Sequence, residues 1–552
     1  MSISIHFVWE RHVTPFMSHL QIRARRPIVN AISILLLAGV TATVLFVALR
    51  SPLKDDIAWL LYVARRWLAG RELYVDVVEV NPPLIIWLSA IPLTVARWLS
   101  AAPQFVAMPT FAAIALGCAW WSATLLRPIG GLFAARIPVF AIIGGVLLII
   151  PAADLGQREH LLIAAFLPYL ILFARTLDQQ TDAGSDGSRP RLLTFLAAGV
   201  LSALGCALKP QYGLVFVALE VIALFRGIRP WRAAPLAAAV TLTCYLALVA
   251  WLCPNYLRKA VPLALALYGA TDVTFRMLLL KSALLLAAET LAIFLWWRDR
   301  RSLSHAALLM TGVVFAAISS VIVFIDGKDW FYHRLPATVT TLLVLILWAA
   351  STIRERSYDL PDWREGWRRP WRDLALTGLV VALFCISAAQ RLEPEMQQAV
   401  EPQATTVARL EALIRLHHAR TYIAFSEWIA LGFPVVNNTG VLWASRFDSM
   451  WALKGEVWRA QFDPGAAKEF PVTLWVAHDF ISGCPDIAVV DTRQGLNYIK
   501  VLSKAEPYFA KVWTRYKQIV AFDGLQVYKR VKGGCIDPWV AAEGPGSGTS
   551  IW

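Results

Sequence analysis

The residues whose types could do chemistry lie in four short polar segments that interrupt long apolar runs. These segments are residues 54–88, residues 151–162, the Lys209-Pro210 pair and residues 326–336. A carboxylate can take a proton from an attacking hydroxyl or amine, and arginine and lysine hold phosphate oxygens through charge-assisted hydrogen bonds. Two acidic segments together with several cations therefore suit an anionic substrate that is embedded in a membrane.

The two acidic segments supply the candidate catalytic groups. Asp55 and Asp56 stand at the start of a predicted amphipathic helix, where ordinary capping and the helix dipole also favour aspartate. The second segment packs four ionisable residues into seven positions, which suggests function near a membrane, although a solvated turn with a local ion pair would look the same. These four residues are Asp154, Arg158, Glu159 and His160.

The other two segments supply cations. Lys209 stands between two apolar runs with no room for a long loop, so it either contacts an anionic ligand or extends to the membrane interface. The segment 326–336 could contribute to the same site, or could be an aromatic and basic belt at the interface. Its candidate residues are Lys328, Tyr332, His333 and Arg334.

Long apolar runs are predicted to position these segments. Of the 552 residues, 58% are hydrophobic and 16% are charged, whereas soluble domains carry about 25% charged residues. The runs match the roughly 30 Å of hydrocarbon that a helix must cross, so the predicted fold class is a polytopic α-helical membrane protein with about 11 spans. The predicted spans are residues 28–49, 105–126, 137–153, 160–174, 192–208, 211–225, 233–252, 277–297, 306–325, 335–350 and 374–390.

Arginines determine the predicted orientation of these spans. They collect in alternate connections, for example at Arg127 and Arg136 and again at Arg226 and Arg229. By the positive-inside rule, those connections and the N-terminal residues 1–27 are cytoplasmic. The four polar segments and the chain after the last span then lie outside, which for a multi-pass protein of a bacterial inner membrane is the periplasm.

Two further segments bear on this topology. Residues 84–101 are apolar enough to span, but a crossing there would invert every later connection, so we predict a juxtamembrane or re-entrant helix within an external loop of residues 50–104. Residues 1–27 carry four arginines and precede an apolar run that is longer than the core of a signal peptide. The first span is therefore predicted to be a retained anchor.

Residues 391–552 are predicted to form a periplasmic soluble domain of the α/β or α+β class. Short β-type runs alternate with helical stretches, and a hairpin is predicted to turn at Asp523-Gly524. Cys484 and Cys535 are the two cysteines of this region. In an oxidising compartment we predict a disulfide between them, with two buried thiols as the alternative.

The order of these features resembles the lipid-linked-sugar-dependent glycosyltransferases of the GT-C class, which include the protein O-mannosyltransferases and the lipid A aminoarabinose transferases. Asp56 stands nine residues before Arg65, which is the family spacing for the catalytic aspartate. Residues 81–84, Asn-Pro-Pro-Leu, match a second family motif together with Trp87, and Glu159 fits an acidic residue at the start of the fourth span. The matching positions cover roughly residues 50–340.

The resemblance implies a GT-C-like transmembrane domain over residues 28–390, with Asp56 as the general base and Asp55 and Glu159 as further catalytic candidates. It implies transfer of a sugar from a polyprenyl-phosphate donor to a glycan, lipid or protein acceptor at the periplasmic face. The predicted substrate-binding residues are Arg65, Glu79, Asn81, Asp154, Arg158, His160, Lys209, Lys328, Tyr332, His333 and Arg334.

The chain departs from the family at Asn81, where many members have a lysine that contacts the lipid phosphate. Either Arg158, Lys209 or Arg334 takes over this contact, or the donor differs. We expect that no cofactor is required, although Asp56 and Glu159 could share a divalent ion.

Other functions remain as alternatives. A transporter or flippase for a lipid-linked sugar would place its coupling residues near the bilayer midplane, often within internal repeats, whereas here the charges cluster at one surface. A non-catalytic subunit of an envelope-glycan assembly would tolerate substitution of Asp56. The net charge of +14 does not indicate a nucleic acid partner, because the arginines lie in short loops between spans and not on a separate basic domain.

Overall fold

The computed structural model of the chain describes residues 6–181, 190–303, 305–356, 368–463, 465 and 468–531. Helices make up nearly all of the part that precedes the soluble domain, and they are numbered in chain order. They are α1 (His6–Arg50), α2 (Asp55–Leu68), α3 (Pro83–Trp98), α4 (Pro103–Leu126), α5 (Arg136–Ile149), α6 (Arg158–Thr181), α7 (Leu192–Leu208), α8 (Gly213–Phe225), α9 (Ala233–Leu252), α10 (Val261–Leu267), α11 (Phe275–Asp299), α12 (Ala306–Asp326), α13 (Phe331–Arg356) and α14 (Arg368–Val400).

The chain is a multi-pass membrane protein. Within the described ranges, eight helices are long and apolar enough to cross a membrane, namely α1, α4, α6, α9, α11, α12, α13 and α14. Helices α6 and α13 are largely buried inside the bundle, whereas α1, α9 and α14 expose apolar side chains, as helices in contact with lipid do. The shorter apolar helices α3, α5, α7 and α8 pack among them.

Two of the helices extend beyond the predicted spans. Helix α6 continues to Thr181 and α14 continues to Val400, beyond the predicted ends at residues 174 and 390. The apolar segment at residues 84–101 forms α3, which packs against α2 and α4. This packing places α3 directly beside the first polar segment.

The soluble domain contains a five-stranded mixed sheet with helices packed around it. Its elements are α15 (Thr406–Leu416), β1 (Thr421–Phe425), α16 (Val435–Thr439), β2 (Leu442–Trp443), α17 (Trp451–Arg459), α18 (Val472–Gly483), β3 (Ile487–Asp491), α19 (Tyr498–Ala505), α20 (Pro507–Trp513), β4 (Tyr516–Phe522) and β5 (Leu525–Arg530). The strand order is β2-β1-β3-β5-β4, with β1 parallel to β2 and β3, and with β5 antiparallel to β3 and β4. Every residue of β3 is buried, as expected for a strand that is covered on both faces.

The predicted hairpin and disulfide belong to this domain. Strands β4 and β5 pair around Asp523-Gly524, where the hairpin was predicted, and both residues have a positive φ. Cys484 follows α18 and is disulfide-bonded. Its predicted partner, Cys535, lies outside the described residues, so the pairing of these two cysteines stays a prediction.

Helix α2 joins the soluble domain to the membrane bundle. Its residues 57–64 are all buried, whereas an amphipathic helix would leave one face exposed. The reason is that the soluble domain covers the face of α2 that would otherwise be exposed. The centroid of the Phe433 ring lies 4.9 Å from that of the Trp59 ring and 5.1 Å from that of the Tyr62 ring. Asn437 also donates a hydrogen bond of 3.0 Å to the Ala58 carbonyl.

A tight turn before α6 positions the second acidic segment. Gly156 has a φ of +95°, which glycine adopts without strain, and a Cβ at this position would lie 2.2 Å from the Phe111 ring. The turn therefore requires glycine for both conformation and space. Arg158 begins α6 two residues later.

Candidate active site

A cavity of about 430 Å³ lies where the membrane helices meet the soluble domain. It is bounded by the starts of α2, α6 and α13, by the loop that leads to α3, by the connection between α10 and α11, and by residues of the soluble domain. A concave site with convergent polar and aromatic groups is the usual location for substrate binding. The charged and aromatic residues that line it are Lys54, Asp55, Asp56, Trp59, Glu79, Arg158, Tyr268, Asp272, Trp330, Tyr332, Glu427, Trp428, Asp448, Trp451 and Lys454.

The two aspartates at the start of α2 have different partners. Asp55 forms an ion pair of 2.9 Å with Lys54, and its carboxylate also accepts a hydrogen bond of 2.9 Å from the backbone N–H of Asp56. Asp56 accepts a hydrogen bond of 3.2 Å from the Gln157 side chain, which precedes α6. Asp55 is therefore held by a cation and a local backbone group, whereas the contact of Asp56 reaches across to the second acidic segment.

The environment of Asp56 suits a general base. Burial raises the pKa of Asp56 to about 7, and the negative charge of Asp55 acts in the same direction, against the opposing charges of Lys54 and Arg158. A base whose pKa lies near the operating pH combines the correct protonation state with sufficient basicity. Asp56 can therefore be deprotonated near neutral pH and still be basic enough to accept a proton.

Arg158 supplies the cavity with a cation whose ion pair with Glu159 is long. Its guanidinium lies 5.8 Å from the centroid of the Tyr332 ring, and its Nε is 4.0 Å from the Glu159 carboxylate. That buried Nε has no hydrogen-bond partner among the described residues. By contrast, Lys54 pairs with Asp55, and Lys454 lies 2.7 Å from Glu427. A buried cation without a hydrogen-bonded anion is unfavourable, so Arg158 is the residue best placed to receive an anionic group of a ligand.

Behind Arg158 lies a buried network that does not reach the cavity. The Lys209 Nζ is 2.7 Å from Glu159 Oε1, 3.1 Å from Asp326 Oδ2 and 3.0 Å from His333 Nδ1. Gln211 also donates a hydrogen bond of 3.2 Å to Asp326. In this structure Lys209 therefore contacts both Glu159 and His333, and Glu159 connects this network to Arg158.

Glu79 and Asn81 line the cavity together. Glu79 is buried and accepts hydrogen bonds from the Trp59 indole and from the backbone and side-chain nitrogens of Asn81, the last two at 2.7 and 2.6 Å. Burial raises the pKa of Glu79. The Asn81 amide, at the position where the family has a lysine, is thus used to hold Glu79 and carries no charge for a phosphate.

The soluble domain contributes a part of the site that sequence reasoning missed. Asp448 lines the cavity and accepts a hydrogen bond of 2.9 Å from the Trp451 indole. Burial raises the pKa of Asp448 to about 8, and the charges of Glu79 and Asp56 contribute in the same direction. Trp428 adds another ring from this domain. Carboxyls beside aromatic rings can bind the hydroxyls and apolar face of a sugar.

The remaining predicted residues lie outside the cavity. Arg65 lies over the Tyr62 ring at 5.3 Å, and Asp154 pairs with Arg391 at 2.5 Å. His160 accepts a hydrogen bond of 3.1 Å from the Gly156 backbone, and its other ring nitrogen lies 2.9 Å from a carbonyl of α5.

Two predicted cations near the start of α13 also bind protein groups. Lys328 donates hydrogen bonds of 2.7 and 2.6 Å to Tyr268 and Thr271 and pairs with Asp272, so it holds a segment that lines the cavity. Arg334 donates to the backbone carbonyl of Lys281 and, at 3.0 Å, to that of Asp329. Of the predicted substrate-binding set, the cavity itself brings together Glu79, Asn81, Arg158 and Tyr332.

The predicted divalent ion would need ligands from these residues. Among the described residues, no group of three or more His, Cys, Asp or Glu side chains is arranged to hold one. One oxygen of Glu159, a predicted metal ligand, is already bound by Lys209. The predicted sharing of an ion between Asp56 and Glu159 stays a prediction.

Comparison with known proteins shows a structural likeness but no sequence relative. No family model and no curated protein matches the chain. The chain is similar to the crystal structure of ArnT from Cupriavidus metallidurans bound to undecaprenyl phosphate, with 14% sequence identity, a TM-score of 0.48, and coverage of 91% of this chain and 98% of that one. At this level of similarity, no residue role is transferred from ArnT to this chain.

Proposed function

We propose that the chain is a membrane glycosyltransferase that moves a sugar from a polyprenyl-phosphate-linked donor to an acceptor of the cell envelope. The observation that carries the proposal is the convergence of Asp56 and Arg158 on one cavity at the edge of the membrane bundle. These residues supply the two groups that a direct displacement requires, a base for the nucleophile and a cation for the leaving phosphate.

The reaction follows from this arrangement. A hydroxyl or amine of the acceptor attacks the anomeric carbon of the donor sugar, and Asp56 accepts the proton that this nucleophile loses. The bond between the anomeric carbon and the phosphate oxygen breaks with its electron pair on that oxygen. Arg158 stabilises the polyprenyl phosphate that leaves, and Glu79, Asp448 and the surrounding rings orient the sugar.

The cavity end of the bundle is proposed to face the periplasm. The arginines that follow α4, α8 and α11 lie at the ends of those helices that are remote from the cavity, and such residues are enriched on the cytoplasmic side of membranes. The soluble domain and the cavity would then share the outer face, where an envelope acceptor is available.

Replacement of the proposed base tests this function. In cells that lack the gene, mass spectrometry of lipid-linked and surface glycans should reveal one that loses a sugar, and the wild-type gene should restore it. Asp56→Asn keeps the side-chain shape but cannot take the proton, so we expect transfer by the purified protein to fall by about 10²- to 10⁴-fold.

The matched control is Asp76→Asn, because Asp76 is exposed and lies outside the cavity. It should restore the glycan as the wild type does. Near-normal turnover by Asp56→Asn would refute the assignment of the base and would favour the transporter or the non-catalytic subunit.

A further inference from the structure

A second cavity, of about 290 Å³, lies between α11, α13 and α14, and we call it the three-helix cavity. It is separate from the candidate active site, although both adjoin the start of α13. Phe331 and Arg334 line the three-helix cavity, whereas Trp330 and Tyr332 line the candidate active site. Nothing in the proposed sugar transfer uses this second cavity.

One end of the three-helix cavity is basic. Each of the three helices contributes one cation, Lys281 from α11, Arg334 from α13 and Arg391 from α14, and the lining contains no aspartate or glutamate. Arg391 is neutralised by Asp154, and Arg334 donates to backbone carbonyls. The Nε atoms of both arginines are buried without a hydrogen-bond partner among the described residues. The lining therefore has positive charge that its own side chains do not neutralise.

The other end of the cavity is apolar, and on all three helices the lining changes from a cation to apolar residues. Helices α11 and α13 begin, and α14 ends, at the side of the bundle where the candidate active site lies. The cations stand near those ends, and the lining residues about two turns deeper include Ala288, Leu342 and Leu383. At 1.5 Å per residue, these lie about 10 to 12 Å deeper along their helices.

We propose that the three-helix cavity binds a membrane lipid by its phosphate headgroup. The phosphate would lie between the cations at the membrane surface, because arginine and lysine match phosphate oxygens in charge and geometry. The hydrocarbon chain would follow the apolar wall into the bilayer, which a free phosphate ion could not do. The site requires only lipid binding, so it stands independently of the proposed glycosyl transfer.

Native mass spectrometry of the full chain in detergent tests this site. The probes are phosphatidylglycerol, polyprenyl phosphate and diacylglycerol, which has no phosphate. Polyprenyl phosphate is also measured in Arg158→Ala, so that binding in the candidate active site contributes less. We expect retention of phosphatidylglycerol or polyprenyl phosphate, which distinguishes a diester from a monoester occupant, and no comparable retention of diacylglycerol.

Three variants connect any retained lipid to the three-helix cavity. Lys281→Met removes an exposed cation and should weaken binding at least about tenfold, because a hydrogen bond to a charged group contributes roughly 1.5 to 3 kcal/mol. Leu342→Trp keeps the charges but fills the apolar part, and it should also displace the lipid. Arg276→Met removes an exposed cation of the same helix that does not line the cavity, and it should bind as the wild type does.

The outcomes separate the proposal from general attraction of lipids to a basic surface. Equal retention by the wild type, Lys281→Met and Leu342→Trp would refute the site, as would equal loss in Lys281→Met and Arg276→Met. Retention of neither phosphate lipid by the wild type would refute it as well. Thermal unfolding of each variant verifies that it is folded, and a variant that unfolds is replaced by Lys281→Gln or Leu342→Phe.

Discussion

Asp56 and Arg158 have complementary electrostatic roles at the scale of single residues. Burial beneath the soluble domain makes the Asp56 carboxylate more basic, while the positive charge of Arg158 opposes that change. A carboxylate that was fully neutralised by an adjacent cation would be a weak base. In the proposed reaction, the acceptor and the leaving phosphate would lie between these two groups, which line the same cavity.

The pKa of Asp56 leads to a prediction about pH. Because this pKa is raised to about 7, the base is protonated below that pH, and the rate should fall by about tenfold for each further unit of decrease. Asp55→Asn removes a negative charge that raises the pKa, so the acidic limb should shift to lower pH. Initial rates of transfer between pH 5 and 9 measure both effects. An acidic limb that does not move in Asp55→Asn would argue against Asp56 as the titrating group.

Arg158 is predicted to hold the donor phosphate. Arg158→Ala should weaken donor binding by about 10- to 100-fold, because a hydrogen bond to a charged group contributes roughly 1.5 to 3 kcal/mol. Acceptor binding should change less. Titration calorimetry or initial-rate analysis with each substrate measures the difference. Lys454→Met is the matched control, since Lys454 lines the same cavity but is paired with Glu427. Unchanged donor affinity in Arg158→Ala would place the phosphate elsewhere.

At the scale of elements, three consecutive residues at the start of α6 have different partners. Arg158 lines the cavity, Glu159 binds Lys209 in the bundle, and His160 holds the turn at Gly156. A helix directs successive side chains about 100° apart, so three adjacent ionisable residues need not share one site. Lys209 is therefore expected to position Glu159, and through it Arg158, without contact with substrate.

This positioning role predicts strong coupling between Lys209 and Glu159. Lys209→Met should lower stability by about 3 to 5 kcal/mol, because it leaves buried carboxylates without their cation. The double variant Lys209→Met with Glu159→Gln should be more stable than the sum of the single effects predicts. Thermal unfolding in detergent measures the coupling. Lys209→Arg should largely preserve the donor KM. A large rise in donor KM for Lys209→Met without loss of stability would instead indicate direct contact with the donor.

At the scale of the whole molecule, the soluble domain completes the cavity. Phe433 packs on α2, and Asp448 and Trp451 line the site opposite the membrane helices. Removal of this domain would expose both the buried face of α2 and the carboxyls of the cavity to water. The soluble domain is thus expected to be necessary for the site and not only for recruitment of the acceptor.

The whole molecule also has a predicted orientation. Reporter fusions near residue 400, after α14, and near residue 360, which lies outside the described residues, should respond as periplasmic and cytoplasmic, respectively. The reason is that one long apolar helix separates the two positions, and arginines concentrate around the second. An alkaline phosphatase and a cytoplasmic reporter at each position provide the reciprocal measurement. The same sidedness at both positions would contradict the proposed orientation.

Local sequence was sufficient to predict the membrane class and some of the residues that line the candidate cavity. Hydropathy depends on residues that are consecutive in the chain, so the long helices and the polar segments between them were predictable from Leu, Val and Ala runs. Asp56 and Arg158 were predictable for the same reason, because each stands at the junction of a polar segment and an apolar helix.

Tertiary structure decided which of the polar residues share a cavity. Lys209, His333 and Arg334 have the composition of a phosphate site in sequence, yet each contacts protein groups away from the cavity. Asp448 was not predictable, because it approaches Asp56 across nearly four hundred intervening positions through the packing of the soluble domain on α2. Contacts between residues so far apart in sequence depend on how whole elements pack. That packing cannot be predicted from residue type or from local periodicity.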